Sequence, residues 1–266
     1  MSEAQATFLY DGRLHLHHGP IDLIIEASGP GTSAGYERAV RRFQPLLAEL
    51  AAELPALRTD INHGPTICSP VGRAMAATVQ KFQPTFITPM AAVAGAVADT
   101  VLNALVGKGI NKAYVNNGGD VAIHLTRGES FTAAVVSELP SRFKIRHEDP
   151  SRGIATSGWR GRSHSLGIAD AVTVLAATAA EADAAATLIA NAVNLPGHPS
   201  VQRKPASELY PDSDLGQRLV TTEVGPLTVS ETIEALERGQ QNASSMLANG
   251  FIHAAALSLN GELMVV

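Results

Sequence analysis

Apolar positions at Tyr36, Val40, Phe43, Leu47, Leu50 and Leu54 recur every three or four residues, the spacing of one helix face. They predict an amphipathic helix over 36–54, kinked at Pro45, where a backbone donor is missing. A different rhythm holds at 171–177, AVTVLAA, a short run rich in β-branched residues that predicts a buried strand. Thr178 follows, with Glu181 three residues on, in the Thr-x-x-Glu pattern of a capping box. It opens an alanine-rich helix that reaches Val193. Near the N-terminus, 7–16 predicts a hairpin turning at Asp11-Gly12, and 21–27 predicts a strand after Gly19-Pro20. The C-terminal part predicts a helix over 229–249, with Ser230 as N-cap and Gly250 as stop. Apolar runs at 251–259 and 262–266 then flank Asn260-Gly261, a strong short hairpin signal.

Shorter elements fill the middle. A helix over 71–82 follows the irregular stretch 58–70. Thr88-Pro89 opens a further helix, stopped by Gly107, whose first two turns are almost wholly Ala, Gly and Val. Strands at 110–115 and 121–125 flank Asn116-Asn117-Gly118-Gly119-Asp120. Two stretches lack periodicity. The segment 142–164 reads as a basic loop, and 194–227 as a decorated surface loop or lid. Interspersed strands and helices with hairpins at both ends predict an α+β fold with mixed or mostly antiparallel sheets. At 266 residues the chain can bury one large core, so a single two-lobed domain over 1–266 is expected.

Bulk composition narrows the partners. A net charge of −5 makes the chain as a whole a poor match for nucleic acid or an anionic membrane. Cys68 is the only cysteine, which excludes an intrachain disulfide. No run approaches the roughly 20 apolar residues of a membrane span, and the first residues lack a secretory pattern, so a cytoplasmic location is expected. Alanine-rich helix faces and terminal strands make a homodimer the expected assembly.

Four features carry candidate chemistry. Asp183 and Thr187 lie four residues apart on the alanine-rich helix, so their oxygens project from one face, and Asn191 extends the stripe. Such oxygens suit a hard cation such as Mg2+, although from the pair alone a solvent-facing surface helix is the favoured reading. The Gly118-Gly119 loop either meets the φ requirement of a hairpin or cups an anion, with Asp120 aimed at a metal or a hydroxyl. Arg142, Lys144, Arg146, His147, Arg152, Arg160, Arg162 and His164 concentrate positive charge, pointing to a small anionic ligand or to a solvated loop. Thr156-Ser157-Gly158 reads as a compact turn able to wrap a phosphate. His15 and His17 share a strand face beside His18, and His63, Cys68 and Arg73 lie together in sequence. Neither group has a specific signature.

Taken jointly, several of these motifs resemble the core of the ApbE family of magnesium-dependent FAD:protein FMN transferases. They are Asn117-Gly118-Gly119-Asp120, Ile154 through Gly158, Ala171-Val172-Thr173-Val174, and Ala182 through Thr187. A shorter, uncharacterised prokaryotic sister family is matched more closely still, through Thr88 to Gly95, His164-Ser165 and Ala169 to Val174. The resemblance implies an ApbE-like, T-fold-like architecture. It implies Mg2+ held by Asp183, Thr187 and a backbone carbonyl near Ala91, and a flavin dinucleotide site lined by Asn117, Gly118, Gly119, Asp120, Thr156, Ser157 and Gly158. His164, Asp120 and Ser165 are the implied catalytic residues, with FAD as substrate or ligand and an acceptor flavoprotein as partner. Departures are visible: Ala94-Gly95 stands where the family has a Lys, and His164 lacks the His-x-x-Asp-Pro context. Two other activities are compatible with the same scaffold. One is a metal-dependent hydrolase or rearrangement enzyme for a smaller anionic metabolite, the other a non-catalytic flavin- or nucleotide-binding protein.

Overall fold

The computed structural model describes residues 3–135 and 141–266. Strands β1 (Gln5–Phe8), β2 (Leu14–His18) and β3 (Ile21–Ser28) form an antiparallel ribbon. Leu14, Leu16, Leu23 and Ile25 alternate with half-buried or exposed positions, so one ribbon face is buried. Each such fully buried side chain contributes about 1.5–3 kcal/mol. The single kinked helix expected over 36–54 is instead three pieces, α1 (Thr32–Phe43), α2 (Leu46–Ala52) and α3 (Leu54–Leu57). Pro45 precedes the first residue of α2, and a second proline, Pro55, sits in the first turn of α3, where its missing N–H is harmless.

After a 3-10 turn at Ile61–His63 comes α4 (Pro70–Gln80), capped by Ser69, whose hydroxyl accepts the Gly72 N–H at 3.1 Å. Pro89–Ala92 is a 3-10 turn rather than the first turn of an α-helix, and it leads into α5 (Val93–Leu105). Thr88 makes no cap bond there, because its hydroxyl donates to Asp214 instead. Then follow β4 (Lys112–Asn117), β5 (Asp120–Leu125), β6 (Ser130–Val135), β7 (Ser141–Arg146), β8 (Gly153–Ser157) and β9 (Ala171–Ala176). The chain continues through α6 (Ala179–Ala192), β10 (Val201–Pro205), α7 (Ala206–Leu209), β11 (Leu219–Val224), α8 (Val229–Ala248), β12 (Ala254–Leu259) and β13 (Glu262–Val265).

Two expected loops are therefore structured. Within 142–164, β7 alternates exposed Arg142, Lys144 and Arg146 with inward Phe143 and Ile145, so three of the clustered cations form a solvated strand face. Within 194–227, β10 and β11 pair with each other alone, a two-stranded ribbon too short and too exposed to show a hydrophobic rhythm. The N-cap of α8 is Thr228 rather than Ser230, and its box with Glu231 is complete in both directions. At Thr178 only half of the expected box forms. The hydroxyl accepts the Glu181 N–H at 3.2 Å, while the Glu181 carboxylate pairs with Lys81.

Nine strands make one sheet in the order β1-β2-β3-β4-β5-β8-β9-β12-β13, every pair antiparallel, so the sheet is antiparallel rather than mixed. Helices α1, α5, α6 and α8 pack in sequence over one face and enclose the main core. The β6–β7 hairpin covers part of the other face, where Val121, Ile123, Leu125, Ile145 and Ile154 form a smaller core. Strand alternation between these faces places the site residues. Ala113, Val115, Ala122, Ala155, Val172 and Val174 point to the helices, and Asn117, Asp120 and Ser157 share their parity. Thr156 and Thr173 point the other way.

Candidate carboxylate site between two cross-capped helices

Helices α5 and α6 cross where neither has a side chain in the way. A Cβ on Gly95 would stand 2.2 Å from the carbonyl oxygen of Ala179, so only glycine permits this approach. The closeness lets each helix cap the other. Asp99 of α5 accepts the Ala179 and Ala180 N–H groups at 3.1 and 2.9 Å, satisfying orphan donors at the start of α6. Asp183 of α6 accepts the Gly95 N–H at 3.0 Å, and the Ala94 amide also supports its carboxylate, at the start of α5. The Ala94 carbonyl accepts from Asn117 Nδ2 at 3.1 Å, which ties the end of β4 to the same helix start.

Asp120, the first residue of β5, faces this junction. Its carboxylate accepts the Thr156 N–H and lies within reach of the Arg162 charge. Burial is the main cause that pushes its pKa up, to about 7. Asp183 is raised well above the ordinary carboxylate value, first by burial and then by repulsion from Asp120, against the amides that favour its charge. Asp99 is pushed up to about 6, again mainly by burial. Asp183 thus feels the charge of both Asp120 and Asp99. Enclosed, mutually repelling carboxylates of this kind are a signature of functional sites.

The other expected site residues fall around this pair unevenly. Gly118 and Gly119 form a two-residue hairpin turn between the paired Asn117 and Asp120, with φ of 67° and 119°. The Gly119 N–H is already donated to Asn116 Oδ1 at 2.8 Å, so the turn is not a row of bare amides. Arg162 lies over it, and a Cβ on Gly118 would sit 1.8 Å from the guanidinium. Thr156 bonds Thr173 across strands through their hydroxyls at 2.9 Å, on the face away from the carboxylates. Thr156 and Ser157 end strand β8 rather than forming a turn, and Gly158 follows against the Asp170 carbonyl.

Thr187 lies half-buried one turn along α6 from Asp183, and Asn191 one turn further. Asn191 Oδ1 accepts from the Leu166 N–H at 2.8 Å and the Ser165 hydroxyl at 3.2 Å, so this end of the stripe anchors the 164–166 segment. Ser165 is buried, and its oxygen also accepts the Gly167 N–H. His164 Nε2 is buried without a hydrogen-bond partner, and its ring lies 5.2 Å from that of Tyr210. Ala91 is half-buried in the 3-10 turn before α5. His15 and His17 both face Asp22, at 3.1 and 3.5 Å, on the β2–β3 ribbon, whose Leu23 pairs with Asn117 beside the glycine turn.

Asp99 as a member of this region, and the Asp120–Asp183 coupling, escaped sequence reasoning, whereas Arg162 stood among the clustered cations expected to meet an anion. A lone acid in the apolar run around Asp99 was the available signal for the first.

Hard-oxygen chemistry fits the pair. Among the described residues no group of three or more His, Cys, Asp or Glu side chains gathers as a metal cage. Two carboxylates with backbone, hydroxyl, water and substrate oxygens are the donor set that suits Mg2+ rather than a thiol- or imidazole-bound metal.

An antiparallel α+β fold with half-buried carboxylates at a helix crossing, beside a glycine turn, defines the class: an α+β protein with a carboxylate-centred candidate site. A family model described as AbpE bacteria matches residues 6–265, and the chain belongs to that family. It is similar to the UPF0280 protein of Archaeoglobus fulgidus, 38% identical over 126 residues, or 47% of this chain and 52% of that protein. It is also similar to the UPF0280 protein of Methanopyrus kandleri, 33% identical over 178 residues, or 64% and 69% of the two chains. The first of these matches thus spans about half the length of the curated relative. Among solved structures, the apo form of Pseudomonas stutzeri flavinyl transferase ApbE matches 99% of this chain and 93% of its own. Its TM-score of 0.41 and 13% identity are too low to transfer residues.

Proposed function

We propose that this chain is a Mg2+-dependent enzyme acting on FAD or a related anionic nucleotide cofactor, by FMN transfer or pyrophosphate cleavage. The observation that carries the reading is the Asp120–Asp183 pair. Two half-buried carboxyls from different elements come together, burial pushes the pKa of both up, and Asp183 also feels the Asp120 charge. A cation reverses that penalty, and membership of an ApbE-like family supports the choice of substrate. Asp120 and Asp183 would hold the ion, with Thr187 and a carbonyl near Ala91 as further oxygen donors. Bound there, Mg2+ supplies charge neutralisation for phosphate oxygens.

The chain's own groups have distinct tasks. The Thr156 amide and the Ala94 and Gly95 amides orient the two carboxylates, so that they are fixed before substrate arrives. His164 would take the proton of an acceptor hydroxyl, on a flavoprotein or water, at its unpartnered Nε2. That oxygen then bonds the FMN-side phosphorus, and the P–O bond to AMP breaks. Asn191, through Ser165 and Leu166, holds the segment that carries His164.

The test is incubation of purified protein with FAD and MgCl2, followed by chromatography of nucleotides. Metal-dependent appearance of AMP, with FMN free or protein-bound, is expected. No AMP at saturating FAD and Mg2+ would remove this reading in favour of a binding protein.

A further inference from the structure

Eight cations and histidines crowd 142–164, yet nearly all are committed. Arg142, Lys144 and Arg146 form the outer face of β7. Arg152 donates to the carbonyls of His147, Asp149 and Ser151, and His147 bonds the Leu125 carbonyl. Arg160 pairs with Asp170 at 2.6 Å and lies 4.9 Å over the Trp159 ring. Arg162 differs from these in its position: exposed and, among the described residues, without a hydrogen bond or ion pair, it rests its guanidinium on the Cα of Gly118 beside Asp120.

Two features of the turn favour this placement over chance. Gly118 is the one side of the hairpin where any Cβ would expel the guanidinium, and its φ of 67° already favours glycine. The turn's own Gly119 amide is spent on Asn116, so the turn alone offers an anion little. A planar fork of five donors that makes no internal hydrogen bond, next to a carboxylate pair suited to a cation, complements a diphosphate rather than a neutral ligand.

We propose that Arg162 is the phosphate-reading residue of this site, seated on side-chain-free Gly118 to bind the diphosphate of a nucleotide substrate. This rests on the function proposed above for its substrate, though the anion site stands independently. Arg162 selects diphosphate-bearing ligands over their dephosphorylated forms.

Calorimetric titration with inorganic pyrophosphate in Mg2+ buffer tests this in wild type, Arg162→Ala, Arg162→Lys and Gly118→Ala. Arg162→Ala is expected to weaken binding about tenfold or more, since a charge-assisted fork to phosphate is lost. Arg162→Lys should recover part of that loss, because charge returns without the fork. Gly118→Ala should reproduce the loss, because the methyl displaces the end of a flexible side chain and not backbone. Melting temperatures of the Arg162 variants should stay close to wild type, since no hydrogen bond is removed and only the attraction to Asp120 is lost in Arg162→Ala. Pyrophosphate affinity in Arg162→Ala within about twofold of wild type overturns the proposal, as does absence of pyrophosphate binding by wild type. A marked fall in the melting temperature of Arg162→Ala also overturns it, since the residue would then be structural. Arg162-dependent pyrophosphate binding with no AMP released from FAD leaves this anion site standing and removes the flavin reading alone.

Discussion

Replacing Asp183 by Asn separates its two roles, because the amide oxygen can still accept the Gly95 N–H while the charge is gone. In wild type without a divalent cation, ionising this carboxyl is opposed by burial and by Asp120. Ionised at about pH 8, Asp183 therefore carries a stability cost, set first by burial and then by the Asp120 charge. Against this, the Asp183→Asn variant loses the favourable interaction of a full charge with the start of α5, about 0.3–2 kcal/mol. Relief of the burial cost outweighs that loss, so the net is a gain of about 1–2 kcal/mol, or about 2–8 °C for a chain of this size. The sign follows from proton binding. Folded protein holds more protons than unfolded above pH 3.8, so wild-type stability falls as pH rises through the folded pKa. The variant loses that slope, so its advantage should be largest near pH 8 and vanish near pH 4. Thermal melts in chelator across this range read it directly. A variant less stable than wild type at about pH 8 without metal would refute the reasoning, since capping by the charged group would then outweigh repulsion.

Other substitutions probe the same junction. Gly95→Ala should destabilise by about 2–4 kcal/mol in denaturant titration and abolish Mg2+ binding, because the methyl meets the Ala179 carbonyl rather than a movable side chain. Asp99→Ala strips two amides of α6 of their acceptor and should cost about 1–2 kcal/mol near pH 4, where Asp99 carries no ionisation cost, read from urea midpoints. Asp99 itself is raised to about 6, so its titration lowers wild-type stability as pH rises from about 4 to 6, and an Asp99→Asn variant should lack that component. Glu231 runs the opposite way. Held down to about 2, chiefly by the Thr228 backbone amide and then by His198, it stabilises above about pH 4.5, and its contribution is lost as pH falls towards 2.

Long elements with one strong rhythm were legible in the chain: the 171–177 strand, the alanine-rich helix after it, and the hairpins at Asp11-Gly12 and Asn260-Gly261 all form. The two-stranded ribbons were not, because their polar faces alternate with only two or three inward residues, and charge at Arg142, Lys144 and Arg146 masked Phe143 and Ile145. Asp183 stood out in sequence through its spacing from Thr187, but its tie to Gly95 and its repulsion from Asp120 bridge 88 and 63 residues of chain, beyond any local pattern. The division of labour among the arginines was also hidden, since it depends on which carbonyls and rings the fold brings to each guanidinium.

The central proposition is a divalent cation held by Asp120 and Asp183 at the crossing of α5 and α6. Crystals soaked in Mn2+, an oxygen-loving substitute for Mg2+ with an anomalous signal, test it most directly. The expected result is an anomalous peak within coordination distance, about 2.0–2.3 Å, of both carboxylates. A peak on the His15–His17–Asp22 ribbon alone, or an Asp120–Asp183 pair that stays metal-free at saturating Mn2+, would contradict it.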